Sequence, residues 1–187
     1  TDDLAGELVA ASNALPQGQG LSTLIVTRYT DAFDGLVEGD DAPPAAWREW
    51  LTRHHDTPVL AGGQVLAWND ALACVAPVPA HVVGRDDLAV LPYTSGTTGL
   101  PKGCMHLHRS IMHNAIASSL WGSGSSGNVA LAAVPMFHIT GMVSVMHATI
   151  YSGGTLVLMP RWDRDLAGRM ISRYKVTSWT NVPTMII

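Results

Sequence analysis

Tyr93-Thr-Ser-Gly-Thr-Thr-Gly-Leu-Pro-Lys102-Gly103 is the stretch from which the fold can be read. A short apolar run, Leu88-Ala-Val-Leu-Pro92, precedes it and has the character of a buried strand. Residues 106–122 follow it and read as a helix. A strand therefore runs into a loop of small residues, hydroxyls and one lysine, and then into a helix. That arrangement suits polyphosphate. Gly96, Gly99 and Gly103 can take positive φ and let a ligand approach the main chain. Thr94, Ser95, Thr97 and Thr98 set hydroxyl donors beside backbone N–H groups, which together can form an anion-binding concavity. Pro101 stiffens the exit, and Lys102 supplies a point charge for phosphate oxygens. A flexible Gly/Ser/Thr turn without a ligand is the plainer alternative. The number of hydroxyls and the Pro-Lys-Gly exit weigh against it. A Walker A loop is disfavoured, because Pro101 stands where the second glycine belongs and Gly103 replaces the hydroxyl after the lysine.

Working outward, the chain alternates strand and helix patterns. Towards the N-terminus, a helix is expected from Asp2 or Asp3 to about Asn13, with Leu4, Leu8 and Ala11 on one face. A strand follows at Leu24-Ile-Val-Thr, and then a surface loop over 30–42. A helix opened by Pro43-Pro44 runs to about His54, with Trp47, Trp50 and Leu51 inward. The stretch 56–81 is harder to read. Trp68 to Val75 has helical character, and Pro77 and Pro79 argue for an extended connector. Beyond the loop, strands are expected over 129–134, 155–159 and 175–182, with helices over 139–152 and 163–174. In the first of these helices Met142, Val145, Met146 and Ile150 share a face. In the second, Leu166, Met170 and Ile171 do. The alternation argues for an α/β fold with a largely parallel sheet flanked by helices. In such sheets ligands lie beyond the carboxyl ends of the strands. The loop at Thr94, the turn at Phe137-His138 and the turn at Pro183-Thr184 all follow strands and could share one rim.

Composition narrows the function classes. The 187 residues are 47% hydrophobic and 14% charged, enough for one sizeable core. A net charge of −4 leaves no electrostatic footprint for nucleic acid or an anionic membrane. The two cysteines, Cys74 and Cys104, are too few for a disulfide framework, so a cytoplasmic location is the simplest expectation. No signal peptide is evident at Thr1-Asp-Asp, and the apolar stretch 129–151 reads as a strand and a buried helix, not a transmembrane span. Cys104, His106, His108 and His113 cluster, but without standard zinc spacing, so no metal ligand is assigned. Neither a nucleophile elbow nor a dinucleotide fingerprint is present.

Tyr93 to Gly103 resembles the phosphate-binding signature of the adenylate-forming (AMP-binding) superfamily, which includes acyl-CoA synthetases such as the fatty-acid–CoA ligases. Val134-Pro-Met-Phe-His138-Ile-Thr-Gly141 resembles its next signature, Phe-His-x-x-Gly, and Asn181-Val-Pro-Thr184 is similar to a segment lining the acyl pocket. The resemblance implies that Thr94, Ser95, Gly96, Thr97, Thr98, Gly99, Lys102 and Gly103 hold the β- and γ-phosphates of ATP. It places Phe137, His138, Gly141 and Thr184 at the substrate, with Lys102 and His138 serving the reaction. A histidine at a strand end can also be purely structural, and the helix Met142 to Met146 can be core or border an acyl chain. ATP, Mg²⁺ and coenzyme A are the implied cofactor and co-substrates, and a carboxylic acid is the implied substrate. Peptide-synthetase relatives carry aspartate after the phenylalanine, where it neutralises the substrate's ammonium group. His138 therefore favours an acid without an amino group, fatty, aryl or another simple acid.

The implied reaction is acid activation to an acyl-adenylate, followed by thioester formation with coenzyme A. On the same resemblance, 1–187 is a partial AMP-binding (adenylation) domain, part of a large N-terminal domain. The adenine-binding segment, the ribose-binding aspartate and the C-terminal catalytic-lysine domain are absent from this sequence. A piece of this extent is expected to bind phosphate weakly, to be inactive alone, and to have exposed sheet edges that favour homo-oligomers. The alternative is a stand-alone nucleotide-binding or interaction module on the same fold.

Overall fold

The computed structural model describes residues 2–32, 38–39, 42–74, 77, 80–96, 99–122 and 124–186. The chain divides into two compact units, Thr1–Pro79 and Ala80–Ile187. The first begins with α1 (Asp2–Asn13), followed by β1 (Thr23–Val26), α2 (Ala45–Thr52), β2 (Gln64–Ala67) and α3 (Trp68–Ala73). β1 and β2 pair in parallel, Thr23 opposite Gln64. β2 went unread because Gln64-Val-Leu-Ala is too short to show a period. Trp47 and Leu51 are buried, as their spacing predicts, and the Trp50 ring sits 6.0 Å from Trp47 and 4.7 Å from Tyr29.

α1 presents a different face from the one expected. Ala5, Val9 and Ser12 are buried, whereas Leu4 and Leu8 are 59% and 50% exposed. Polar bonds at the helix end set its rotation. Ser12 Oγ accepts from the Leu21 N–H at 2.8 Å, and the Asn13 side chain bridges Val59 O and Ala61 N. Those three bonds satisfy backbone groups that would otherwise be lost in the turn, and the small residues beside them permit close approach.

The second unit carries the alternating part. β3 (Leu88–Val90) leads to β4 (Tyr93–Thr94), β5 (Lys102–Gly103), β6 (His106–Leu107) and α4 (His108–Trp121). Then come β7 (Val129–Ala132), a π-helix (Thr140–His147), α5 (Ala148–Tyr151), β8 (Thr155–Leu158), α6 (Arg164–Tyr174) and β9 (Ser178–Trp179). β8, β7 and β9 form a parallel sheet in that order. Leu131, at its centre, has no exposed surface; its burial contributes about 2 kcal/mol. Asn128 Oδ1 accepts from the hydroxyls of Thr177 and Ser178, both at 2.8 Å, and pins β9 to the start of β7. Asp163 caps α6 by accepting from the Leu166 N–H at 2.8 Å, and the helix ends at Lys175 with φ 53°. Leu166 is buried as expected, joined by Ala167, while Met170 and Ile171 are half-buried.

Three expectations are corrected in this unit. The sheet around the phosphate loop is antiparallel, β3 with β6 and β4 with β5, so the parallel character belongs to β7–β9. β9 is two residues long, not the eight of 175–182. The helix after His138 is a π-helix over its first eight residues, which shifts its buried face to Gly141, Val143, Val145, Ala148 and Thr149. Ile150 is accordingly 63% exposed. An extra residue per turn breaks the 3.6 spacing on which the expected stripe rested.

Candidate functional site

The phosphate stretch folds as a hairpin. Tyr93 pairs with Gly103 and Thr94 with Lys102. The Cys104 N–H donates to Pro92 O at 2.9 Å and extends the ladder. The loop from Ser95 to Pro101 is therefore held at both ends by backbone pairing, not by a helix N-terminus. Gly96 has φ 68°, and a Cβ there would lie 3.0 Å from Leu100 O, so the turn requires glycine. Gly99 also has positive φ, at 147°. Gly103 does not: it sits in β5, and its missing side chain makes room for Leu91. Thr94, Ser95, Gly99 and Lys102 are exposed at this loop, and Thr94 Oγ1 donates to Lys102 O at 3.4 Å. Thr97 and Thr98 lie outside the described residues.

The histidine turn is built differently. β7 ends at Ala132, and the Pro135 carbonyl accepts from the His138 N–H at 3.1 Å. His138 O accepts from the Met142 N–H at 2.9 Å, and His138 Nδ1 accepts from the Thr140 N–H at 3.2 Å. A ring that accepts at Nδ1 carries its neutral-state proton on Nε2, so an N–H remains for a ligand. His138 and Phe137 are both exposed, Phe137 at 84%. Gly141 is buried against the loop: a Cβ would collide with the Pro135 carbonyl oxygen. The glycine of the Phe-His-x-x-Gly pattern thus has a packing role here.

Sheet order explains why these turns gather. β8 lies on one side of β7 and β9 on the other, so the winding reverses beside β7. Ligands in open α/β sheets bind beyond the carboxyl ends at such a reversal. The turn after β7 carries Phe137 and His138, and the turn after β9 carries exposed Thr184. Met185 packs against Ala132, Val134 and Val145, which brings the two turns together. On the other side of the π-helix, Ala89 and Val90 of β3 pack with Ile139 and Met142 against Ile111, Ala115 and Val143. The strand that feeds the phosphate hairpin and the residue following His138 therefore share one core.

Between α4 and the π-helix lies a cavity of about 270 Å³, lined by His106, Ile111, Asn114, Ile139, Thr140, Val143 and Ser144. Sequence reasoning weighed His106 only for zinc and passed over Asn114 and Ser144, polar residues of α4 and the π-helix. A further missed feature is the stack of Trp162 on Trp179, 5.3 Å between ring centres, which joins the β8–α6 connection to β9.

A family model for the AMP-binding enzyme matches residues 9–187. The chain belongs to the AMP-binding enzyme family. Among curated relatives, 4-coumarate–CoA ligase 4 of Arabidopsis thaliana is 34% identical over 169 residues, covering 88% of this chain and 26% of the relative. Rice 4-coumarate–CoA ligase 3 is 36% identical over 167 residues, covering 87% and 25%. The chain thus spans about a quarter of these relatives. Among solved structures, the N-terminal domain of FACL13 from Mycobacterium tuberculosis, inhibitor-bound, aligns over 96% of this chain and 42% of its own, at TM-score 0.61 and 25% identity. The o-succinylbenzoate coenzyme A synthetase of Bacillus subtilis, solved with ATP and magnesium ion, aligns over 67% of this chain and 27% of its own, at TM-score 0.60 and 30% identity. Membership of that family and an α/β architecture are therefore shown. Among the described residues no helix is long and apolar enough to cross a membrane.

Proposed function

We propose that this chain is the phosphate- and acid-binding part of an ATP-dependent acid–CoA ligase, which activates a carboxylate as its acyl-adenylate and transfers the acyl group to coenzyme A. The observation that carries the reading is the shared core. The strand entering the phosphate hairpin and the turn bearing His138 are packed on the same π-helix, beside the reversal of sheet order. A carboxylate presented by the one and a triphosphate held by the other are what the first step has to bring into line.

Thr94, Ser95, Thr97, Thr98 and Lys102, with the backbone freed by Gly96 and Gly99, would hold the β- and γ-phosphates and stabilise the departing pyrophosphate. The donor set is hydroxyls, N–H groups and one cation, which fits a metal-loaded triphosphate. Magnesium would be carried on the phosphate oxygens and spread their charge. His138 would orient the acid through Nε2–H. None of the seven residues lining the adjacent cavity is a carboxylate, so a substrate α-ammonium would lack a counter-ion. An acid without an amino group, aryl or fatty, suits the Ile111, Ile139 and Val143 walls. Curated relatives that act on 4-coumarate support the aryl end of that range.

The test is pyrophosphate exchange into ATP, driven by a panel of aryl, aliphatic and amino acids, using the protein extended to the length of its relatives. Exchange with aryl or aliphatic acids, lost in His138→Ala, is the expected result. Exchange driven only by amino acids, or by none of the panel, would overturn the reading.

A further inference from the structure

We infer that His147, at the far end of the π-helix, is a positioning residue for His138. Its ring Nδ1 donates to the carbonyl of Met142 at 2.6 Å, in a half-buried setting. Met142 is in turn tied to the site, since its N–H donates to His138 O at 2.9 Å. A single residue is thus held from one side by the candidate substrate histidine and from the other by His147.

The geometry of this bond explains the rare helix type. In an α-helix, residue i+5 lies about 140° round the axis from residue i, and its side chain faces away from that carbonyl. In the wider π turn, residue i+5 comes to lie below residue i, where a ring leaning towards the helix N-terminus meets the carbonyl. The i+5 pattern continues at the exit, where the Ala148 N–H reaches Val143 O and is shared with Val145 O. The Met142 carbonyl has a second lone pair, so the ring adds to the backbone ladder without displacing it. The π register also seats Gly141 against the Pro135 carbonyl and lets Thr140 present its N–H to His138 Nδ1. Without the His147 ring the segment relaxes towards α-helical winding, and the turn carrying His138 is re-aimed. The two histidines hold complementary tautomers, Nδ1–H at His147 and Nε2–H at His138.

The functional meaning of this coupling rests on the acid-orienting role proposed for His138; the coupling itself does not. The first experiment is therefore nitrogen-detected NMR of the histidine rings in this chain in mildly alkaline buffer. Complementary tautomers in the parent chain are expected. In His147→Leu, His138 should drift towards the mixture of a free imidazole, with shifts at the Thr140 and Met142 amides. In His147→Asn, whose amide keeps a donor at the equivalent position, the parent pattern should return. A His147 ring protonated on Nε2 in the parent chain would overturn the inference whether or not any variant folds. So would a His138 ring that ignores His147→Leu in a folded chain. In the protein extended to the length of its relatives, His147→Leu should raise the KM for the acid about tenfold or more while the KM for ATP holds. Equal loss on both substrates would reduce His147 to general stability. Absence of any adenylate formation would defeat the ligase reading alone, since the ring tautomers are measured independently of activity.

Discussion

The hairpin that carries Lys102 and the turn that carries His138 are built in opposite ways, and on the proposed function each would hold a different ligand. The hairpin projects from four residues of antiparallel ladder and leaves its loop exposed. Its side chains are available because they pack against little. The histidine turn is exposed only at its tip, and behind it lie buried Val134, Gly141, Val143 and Val145. A polyanion can be gripped by many weak donors on an exposed loop. A single carboxylate needs one ring aimed well, and aim comes from packing.

That contrast can be broken at several points. Gly141→Ala should have the largest effect, because its methyl meets the Pro135 carbonyl inside a buried contact. A loss of about 3 kcal/mol is expected in urea unfolding, as for other overpacked sites. A full-stability alanine variant would show that the turn is not the rigid half. Gly96→Ala should cost about 1 kcal/mol, since φ 68° is unfavourable for an L side chain. Asp163→Ala removes a helix cap and should also cost about 1 kcal/mol, a yardstick for an ordinary local bond. His138→Gln should leave the unfolding midpoint unmoved yet abolish acid-dependent exchange in the extended protein. Lys102→Ala should likewise leave the midpoint unmoved. Pyrophosphate binding to this chain, followed by ligand-observed NMR, should nonetheless weaken about tenfold, as for one lost charge-assisted contact. Binding indifferent to Lys102 would remove the hairpin from the site.

Legibility followed the range of the interactions involved. Gly96 and Gly99 announced their backbone conformation because a tight loop needs φ that other residues resist. Leu4 and Leu8 misled because α1 is rotated by bonds to Leu21, 9 residues from its partner, and to Val59 and Ala61, 46 and 48 residues from theirs. Gly103 looked like a third loop glycine, but what it accommodates is Leu91 across the hairpin. His147 gave no signal at all, since nothing in its neighbours foretells a five-residue turn.

Sequence alone determined the alternation of strands and helices, the glycine- and hydroxyl-rich loop before Lys102, and the Phe137-His138 turn at a strand end. These depend on period, backbone preference and residue chemistry, all encoded within a few positions. Tertiary structure decided the order β8-β7-β9, the hairpin closure of the phosphate loop, the π register behind His138 and the cavity beside it. Each of those is a choice among pairings that local sequence leaves nearly equal, and only contact between distant residues separates them in free energy.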